Sequence, residues 1–291
     1  LAGFGHRWLP FADAASADLS LPRLLRLSLF QLSTGMAIVL LTGTLNRIMV
    51  VELGQPASWV SLMLAIPLLM APARALIGYR SDHHRSFLGW RRIPYLWSGT
   101  MMQFGGLAFM PFALILMTES HSGPELLGPA AAMASFLLTG LGVHVAQTAG
   151  LALATDLATE ETRPRVVALL YLMLLIGMVG SALIFAALLE DFGYVRLIQV
   201  IQSAAVITLV LNVVAMLKQE ARRPDLTDHS LARPTFGNAW QDFISLPKAR
   251  RLLWALGLGT MGFRMQDILL EPYGAVVLGL SVSVTTLLRA M

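Results

Sequence analysis

Residues 126–155 read LLGPAAAMASFLLTGLGVHVAQTAGLALAT and contain no Asp, Glu, Lys or Arg. A helix rises about 1.5 Å per residue, so roughly 20 such residues cross the ~30 Å hydrocarbon core of a bilayer. Uncharged runs of comparable length recur at 27–46, 53–73, 93–118, 166–189 and 197–217. One such run could be a buried core helix; six in series, none of them charged, read as membrane spans. A seventh apolar segment, 252–273, carries three charges, and an eighth run, 272–288, ends close to Met291. The expected fold is an all-α integral membrane protein.

Composition agrees. Of 291 residues, 56% are hydrophobic and 13% charged, with a mean hydropathy of +0.68. A soluble surface needs about a quarter charged residues. A soluble enzyme, a disordered chain and a disulfide scaffold are all disfavoured. There are no cysteines, hence no thiolate metal site and no cysteine nucleophile. The net charge of +4 and a pI near 9.8 invite a nucleic-acid reading, but the placement of the charges argues against it. Arg7, Arg23 and Arg26 precede span one. Arg80, Arg85, Arg91 and Arg92 follow span two, and Arg163 and Arg165 follow span four. Lys218, Arg222, Arg223, Arg233, Lys248, Arg250 and Arg251 follow span six. These are 16 of the 21 basic residues, all on one side. The opposite loops hold Arg47 and Arg196 beside Glu52, Glu119, Glu125, Glu190 and Asp191. The asymmetry places the N-terminus in the cytoplasm. Four separate basic loops with no reading motif give no nucleic-acid partner.

Residues 1–22 lack a continuous apolar core and are no signal peptide, and 1–23 is read as a cytoplasmic or interfacial segment. Phe4, Trp8 and Phe11 suit a segment lying at the membrane interface. Residues 24–217 form an expected N-terminal six-helix bundle and 218–250 a cytoplasmic linker. Residues 251–291 then begin a second bundle. Within the linker, Phe236, Trp240, Phe243 and Ile244 recur at helical spacing and predict a short surface helix. The chain begins at Leu1 and stops inside a hydrophobic run, which is expected of part of a longer protein.

The loop after span two reads GYRSDHHRSFLGWRR over 78–92. Gly78 ends a helix, Asp82 follows, and Gly89 precedes the paired Arg91 and Arg92. The acid can accept from helix-terminal N–H groups and pair with the arginines, as a gate latch. This pattern resembles the signature loop of the major facilitator superfamily, with a longer gap between the acid and the second glycine. Further blocks are PFADAA at 10–15, LLRLSLFQ at 24–31, GTLNR at 43–47 and GWRRIPY at 89–95. HVAQTAG at 144–150, TDLA at 155–158 and DILLEPY at 267–273 complete them. Together they resemble the PucC/LhaA family, the bacteriochlorophyll-delivery branch of that superfamily, and the N-terminal block leans to LhaA. The resemblance implies helical bundles of the major facilitator type, here the first six-helix bundle, span seven and the start of span eight. It also implies the cytoplasmic or intracytoplasmic membrane of a phototrophic bacterium, bacteriochlorophyll as cofactor or cargo, and assembly of light-harvesting complexes. The implied partners are antenna subunits, the reaction-centre core complex and chlorophyll synthase.

Span four offers the most chemistry. Gly142, Ala146, Gly150 and Ala154 repeat every four residues, a spacing that lets helices approach closely in lipid. His144, Gln147, Thr148 and Thr155 fall on a different face, turned to a cavity or a neighbour. A neutral imidazole could take the axial position of a chlorin Mg²⁺; a hydrogen bond across the bundle is the plainer role. No free metal site is expected. In span seven, Arg264, Asp267 and Glu271 share one helix face. Intramembrane charges of this kind mark functional groups, and Arg264 can pair with Asp267.

No nucleophile, acid and His are arranged as a soluble hydrolase would need, and no phosphate loop is present, so an enzyme is not expected. Three roles remain: a pigment-handling assembly factor, a proton-coupled secondary transporter, or a passive scaffold docking antenna or reaction-centre subunits among membrane lipid. The charge asymmetry makes its own prediction. Reporter tags within 218–250 should be cytoplasmic and tags near 119–125 external. Protease cleavage of 218–250 from the outer face would overturn that orientation.

Overall fold

The structure, a computed structural model, describes residues 11, 14–15, 19–117, 126–227, 233 and 235–287. Among these, every regular element is helical. Helix α1 (Leu21–Val39) continues through a π-helical segment, Leu40–Leu45, into α2 (Asn46–Val51). Then come α3 (Ala57–Leu69), α4 (Ala73–Asp82), α5 (Ile93–Leu116) and α6 (Leu127–Leu157). They are followed by α7 (Arg163–Leu188), α8 (Tyr194–Met216) and the short α9 (Pro224–Thr227). The chain ends with α10 (Phe236–Ser245), α11 (Pro247–Val276) and α12 (Val282–Leu287). Among the described residues, five helices are long and apolar enough to cross a membrane: Leu21–Val51, α5, α6, α7 and α8. The protein is an all-α membrane protein.

Prolines set several starts. Proline occupies the first turn of α1, α5, α7 and α11, where its missing N–H is not required. The bundle is then closed by glycine. Helix α5 packs along α6, α1 along α7, and α8 against both α5 and α1. A Cβ on Gly142 would stand 2.5 Å from the Gln103 backbone nitrogen, and one on Gly99 2.5 Å from that of Ala146. In the other pair, a Cβ on Gly35 would stand 2.5 Å from the Leu174 carbonyl oxygen. Lipid tails are as apolar as leucine, so such close backbone approach is the main source of helix association. The small-residue stripe of α6 serves two neighbours. Gly142 and Ala146 meet α5, while Gly150 receives the Phe30 ring of α1 at 2.6 Å from its absent Cβ. Ala154 is buried with Leu27 and Leu96.

Polar side chains join the same helices inside the bundle. Asn212 of α8 donates to Gln103 Oε1 of α5 at 2.9 Å and accepts from Ser33 of α1. Gln147 of α6 donates to Gln31 of α1 at 3.3 Å. All five are buried.

Span two differs from the single crossing expected over 53–73. Pro72 has no N–H for the Leu68 carbonyl, so the helical ladder fails there. Residues 70–72 form a turn, with Ala73 N donating to Met70 O at 2.9 Å and Arg74 N to Ala71 O at 3.0 Å. The 13 residues of α3 reach only about 20 Å. The chain then restarts as α4 and continues helical to Asp82. Arg47, expected in an outer loop, lies within α2, buried and paired with Glu52 at 2.7 Å. Near the end, α11 carries Pro272 inside it and extends to Val276; a turn containing Gly279 (φ +63°) precedes α12, so the run at 272–288 is not one helix.

The short surface helix within 218–250 is α10, with Thr235 accepting from Asn238 N at 3.3 Å as its N-cap. Phe236, Trp240 and Phe243 stack along it, and Phe236 meets Tyr79 of α4 edge-on at 5.5 Å. Of the aromatic residues expected at the interface, Phe11 packs half-buried against the cluster of Leu24, Leu27 and Phe30; Phe4 and Trp8 lie outside the described residues.

Close approach at Gly142 can be tested directly. Gly142→Ala should lower stability in detergent by about 1–3 kcal/mol, because backbone must move to admit the methyl group. Gly180→Ala in α7, where nothing lies within 4 Å, should be neutral or slightly stabilising. Thermal unfolding of both variants decides it, and equal effects would refute the packing argument.

Candidate functional site

The break between α3 and α4 leaves one carbonyl that the helix itself only partly satisfies. Pro67 O accepts from Met70 N at 3.2 Å, and His144 Nε2 of α6 reaches it at 3.0 Å. A carbonyl only accepts, so Nε2 carries the hydrogen and the imidazole acts here as a donor. The approach is close because residue 140 is glycine: a Cβ there would run into the Pro67 ring.

Beside this junction lies a cavity of about 450 Å³. Its walls are mainly apolar, with Ile38 and Leu41 from the first helix, Leu64 from α3, Phe136 and Val143 from α6, and Leu174 from α7. His144, Gln147, Tyr171 and Arg74 add polar groups, and Thr260 is contributed by α11. Leu41 and Thr42 belong to the π-helical segment, and π-turns within α-helices recur at functional sites. The volume falls within the range of small-molecule sites, about 300–1,000 Å³.

Arg74 is the residue that counting charges along the chain missed. It stands just past the uncharged run, yet the turn at 70–72 aims it back into the bundle. Its Nε donates to Thr148 Oγ1 at 3.0 Å, and Thr148 in turn donates to the His144 carbonyl at 2.7 Å. Arg74 also sits in the first turn of α4, the positive end of that helix dipole. Among the described residues no carboxylate pairs with it. His144, Gln147 and Thr148 are thus brought together around the cavity, whereas Thr155 bonds back to Leu151 and Ala152. Arg264, Asp267 and Glu271 lie on α11, but their side chains are outside the described residues. Among the described residues no group of three or more His, Asp or Glu is placed to hold a metal ion.

A second polar centre lies at the basic end of the bundle. Arg92, nearly buried, pairs with Asp82 of α4, donates from Nε to Asp156 of α6 at 3.0 Å, and from Nη1 to Ser81 at 2.6 Å. Arg91 approaches Asp156 at 3.7 Å. Gly78 sits against Thr148, and Gly89 has φ +75°, with Arg223 N donating to its carbonyl at 2.9 Å. A Cβ on Gly89 would stand 2.8 Å from that nitrogen, so glycine is required twice over. The N–H groups opening α5 are taken not by Asp82 but by Glu220, which accepts from Arg91 N at 2.8 Å, Arg92 N at 3.0 Å and Ile93 N at 2.9 Å. Ser86 and Thr227 bond to each other through backbone and side chain. The segment after α8 is thereby fastened across the loop after α4. Burial pushes the His84 imidazole in this loop below its ordinary value; Glu220 opposes that and Arg233 adds to it. The protonated form is the disfavoured one, so the loop keeps its full stability above about pH 6.5 and loses some as the pH falls below it.

Two carboxylates share one buried guanidinium, which fixes an expected pattern. Asp82→Asn or Asp156→Asn alone should cost little, because Arg92 keeps the other partner. The double variant leaves Arg92 buried and unpaired and should cost about 3–5 kcal/mol, more than the sum of the singles. A double-mutant cycle on thermal unfolding measures this, and simple additivity would refute it.

Comparison with known proteins adds a family. The family model described as PUCC protein matches residues 44–291. Protein PucC of Rhodovulum sulfidophilum is 58% identical over all of this chain, and Protein PucC of Rhodobacter capsulatus 53% identical over the same extent. A protein of Rhodobacter capsulatus described as an uncharacterized protein in the puhA-bchM intergenic region is 56% identical over 97% of the chain. The chain spans 60–65% of the length of these relatives. At 27% identity, the bacteriochlorophyll synthase 44.5 kDa chain of Rhodobacter capsulatus also matches. No solved structure matches.

Proposed function

Since the chain belongs to the PucC family, we propose that it serves as an assembly factor for light-harvesting complexes in the membrane of a phototrophic bacterium, handling bacteriochlorophyll on its way to antenna subunits. The observation that carries this reading is the cavity beside the α3–α4 break: apolar walls with one guanidinium at the edge. Apolar walls suit the faces of a flat macrocycle, and Arg74 suits oxygen substituents at its rim. The match to the bacteriochlorophyll synthase 44.5 kDa chain supports the same chemistry.

With Nε2 as a donor, Nδ1 is the one nitrogen of His144 with a lone pair to offer the pigment magnesium. Nε2 is spent on the Pro67 carbonyl and Nδ1 is buried. In this reading His144 positions the helix break and Arg74 addresses the cargo. Asp82, Arg92 and Asp156 lock the loop after α4 onto α6, and Glu220, Arg223 and Thr227 fasten the linker at 218–250 to the bundle of residues 24–217, in an arrangement like that of the major facilitator superfamily. The partners are antenna subunits, the reaction-centre core complex and chlorophyll synthase. The N-terminus faces the cytoplasm, and residues 251–291 open a second bundle.

The test uses the full-length protein in its phototrophic host. Arg74→Gln should leave the protein level unchanged and lower co-purifying pigment roughly tenfold, the worth of a charge-assisted hydrogen bond. Antenna absorbance should fall with it. Antenna assembly unaffected by Arg74→Gln would favour the passive scaffold. Uptake driven by a pH gradient and lost with Asp267→Asn would favour the secondary transporter.

A further inference from the structure

We propose that the lipid-facing groove between α5 and α8, with the basic pocket that continues it, is a binding site for an anionic phospholipid. The site is separate from the cavity at the α3–α4 break and does not rest on the function proposed for that cavity. Two hollows of about 500 Å³ each meet at this place and share Trp90, Lys218 and Glu220. One lies between the ends of the apolar helices and is walled by Ile93, Pro94, Trp97, Val213, Met216 and Leu217. The other opens beyond the helix ends and carries Arg23, Lys218 and Arg222. An apolar groove that runs into a basic pocket at the end of a span matches a molecule with acyl chains and an anionic head. A soluble anion would leave the groove unfilled, and a zwitterionic lipid would bring Lys218 and Arg222 no net counter-charge.

The basic pocket is built, not incidental. Arg222 lies over the Trp90 ring at 5.1 Å, which fixes the guanidinium in place. Arg23 is held by Gln219 through Nε at 3.3 Å, and Gln219 returns a bond to the Arg23 carbonyl at 3.2 Å. Glu220 is the acid of the pocket, yet its carboxylate already accepts three backbone N–H groups at the start of α5. Among the described residues that line the pocket, Lys218 and Arg222 therefore stand beside an acid that is otherwise engaged. Lys218 stands at the junction of the two hollows with φ +53°, a conformation that L residues other than Asn and Asp seldom adopt. A glycine would suit that backbone better, so the lysine side chain is kept at a conformational cost. Trp97 and Trp90, near the span end beside these cations, match the residue types that mark the interface of a bilayer.

The experiment takes the full-length protein in detergent, stripped of native lipid, and follows thermal unfolding with three additions. These are phosphatidylglycerol, phosphatidylcholine of the same acyl chains, and inorganic phosphate. Phosphatidylglycerol should raise Tm saturably, and the other two should not. Lys218→Gly, which suits the local φ, should keep or raise the basal Tm while weakening the response to phosphatidylglycerol about fivefold. Adding Arg222→Gln should bring the loss to about twenty-five-fold, at the worth of one basic residue near an anionic headgroup apiece. Equal stabilisation by phosphatidylcholine would overturn the charge selectivity. Equal stabilisation by phosphate would make this a free-anion site and overturn the lipid assignment. Undiminished affinity in the Lys218→Gly and Arg222→Gln double variant would place the lipid elsewhere on the protein.

Discussion

A backbone carbonyl in a bilayer has no water to turn to, and the cavity is arranged around one such group. Pro72 interrupts the ladder after α3, and the Pro67 carbonyl is completed by His144 from α6. That bond requires α3 to lie hard against α6, which Gly140 permits. It also requires the chain to turn before α4, which carries Arg74 into the bundle. The cavity, its cation and the tautomer of its imidazole therefore follow from two prolines and a glycine. A polar histidine amid apolar helices thus has a packing role: it adds a donor to the Pro67 carbonyl, one residue before the Leu68 carbonyl that Pro72 leaves without its intrahelical donor.

The spans were legible in the sequence because charge is excluded from lipid, and that exclusion survives any detail of packing. Uncharged runs located α5 to α8 to within a few residues. The same rule failed at residues 53–73, where the run is continuous but the helix is not. Hydropathy counts side chains and takes no account of backbone donors, so Pro67 and Pro72 left no trace in it. Arg74 was passed over for the same reason. Only the turn at 70–72, not its position in the chain, brings it to the cavity. Arg47 shows the converse, a charge that closes an apolar run yet stays helical and buried because Glu52 lies within reach.

At the loop after α4, the sequence marked the members of the pattern but not their bonds. Gly78, Asp82, Gly89, Arg91 and Arg92 are contiguous enough to suggest a latch. The groups that complete it, Asp156 and Glu220, lie 64 residues or more from Arg92 along the chain. Nothing local announces such a pairing. Glu220 in particular sits within a charged segment that composition alone describes as linker. There its carboxylate does what an N-cap side chain usually does from inside the same helix. The linker is thus bound to the bundle at its first residues, before α10 begins.

The cavity and the latch belong to one rigid unit, and the spacing of their residues gives the reason. Arg74 and Asp82 are eight residues apart on α4; Thr148 and Asp156 are eight apart on α6. Each interval covers about 12 Å of helix. Arg74 meets Thr148 at one end, and Arg92 joins Asp82 to Asp156 at the other. Helices α4 and α6 therefore run side by side in the same direction, tied by a rung at each end, with Gly78 against Thr148 near the first rung. Two rungs prevent α4 from sliding or rotating on α6 unless both give way together. Any opening of the cavity must then come from its other walls. These are α3, which is joined to α6 at Pro67 by a neutral hydrogen bond, Ile38 of α1 with the π-helical segment Leu40–Leu45, α7 with Tyr171 and Leu174, and α11, which among the described residues contributes Thr260. The π-helical segment already departs from the regular ladder, so it is the wall whose backbone needs the smallest rearrangement to move.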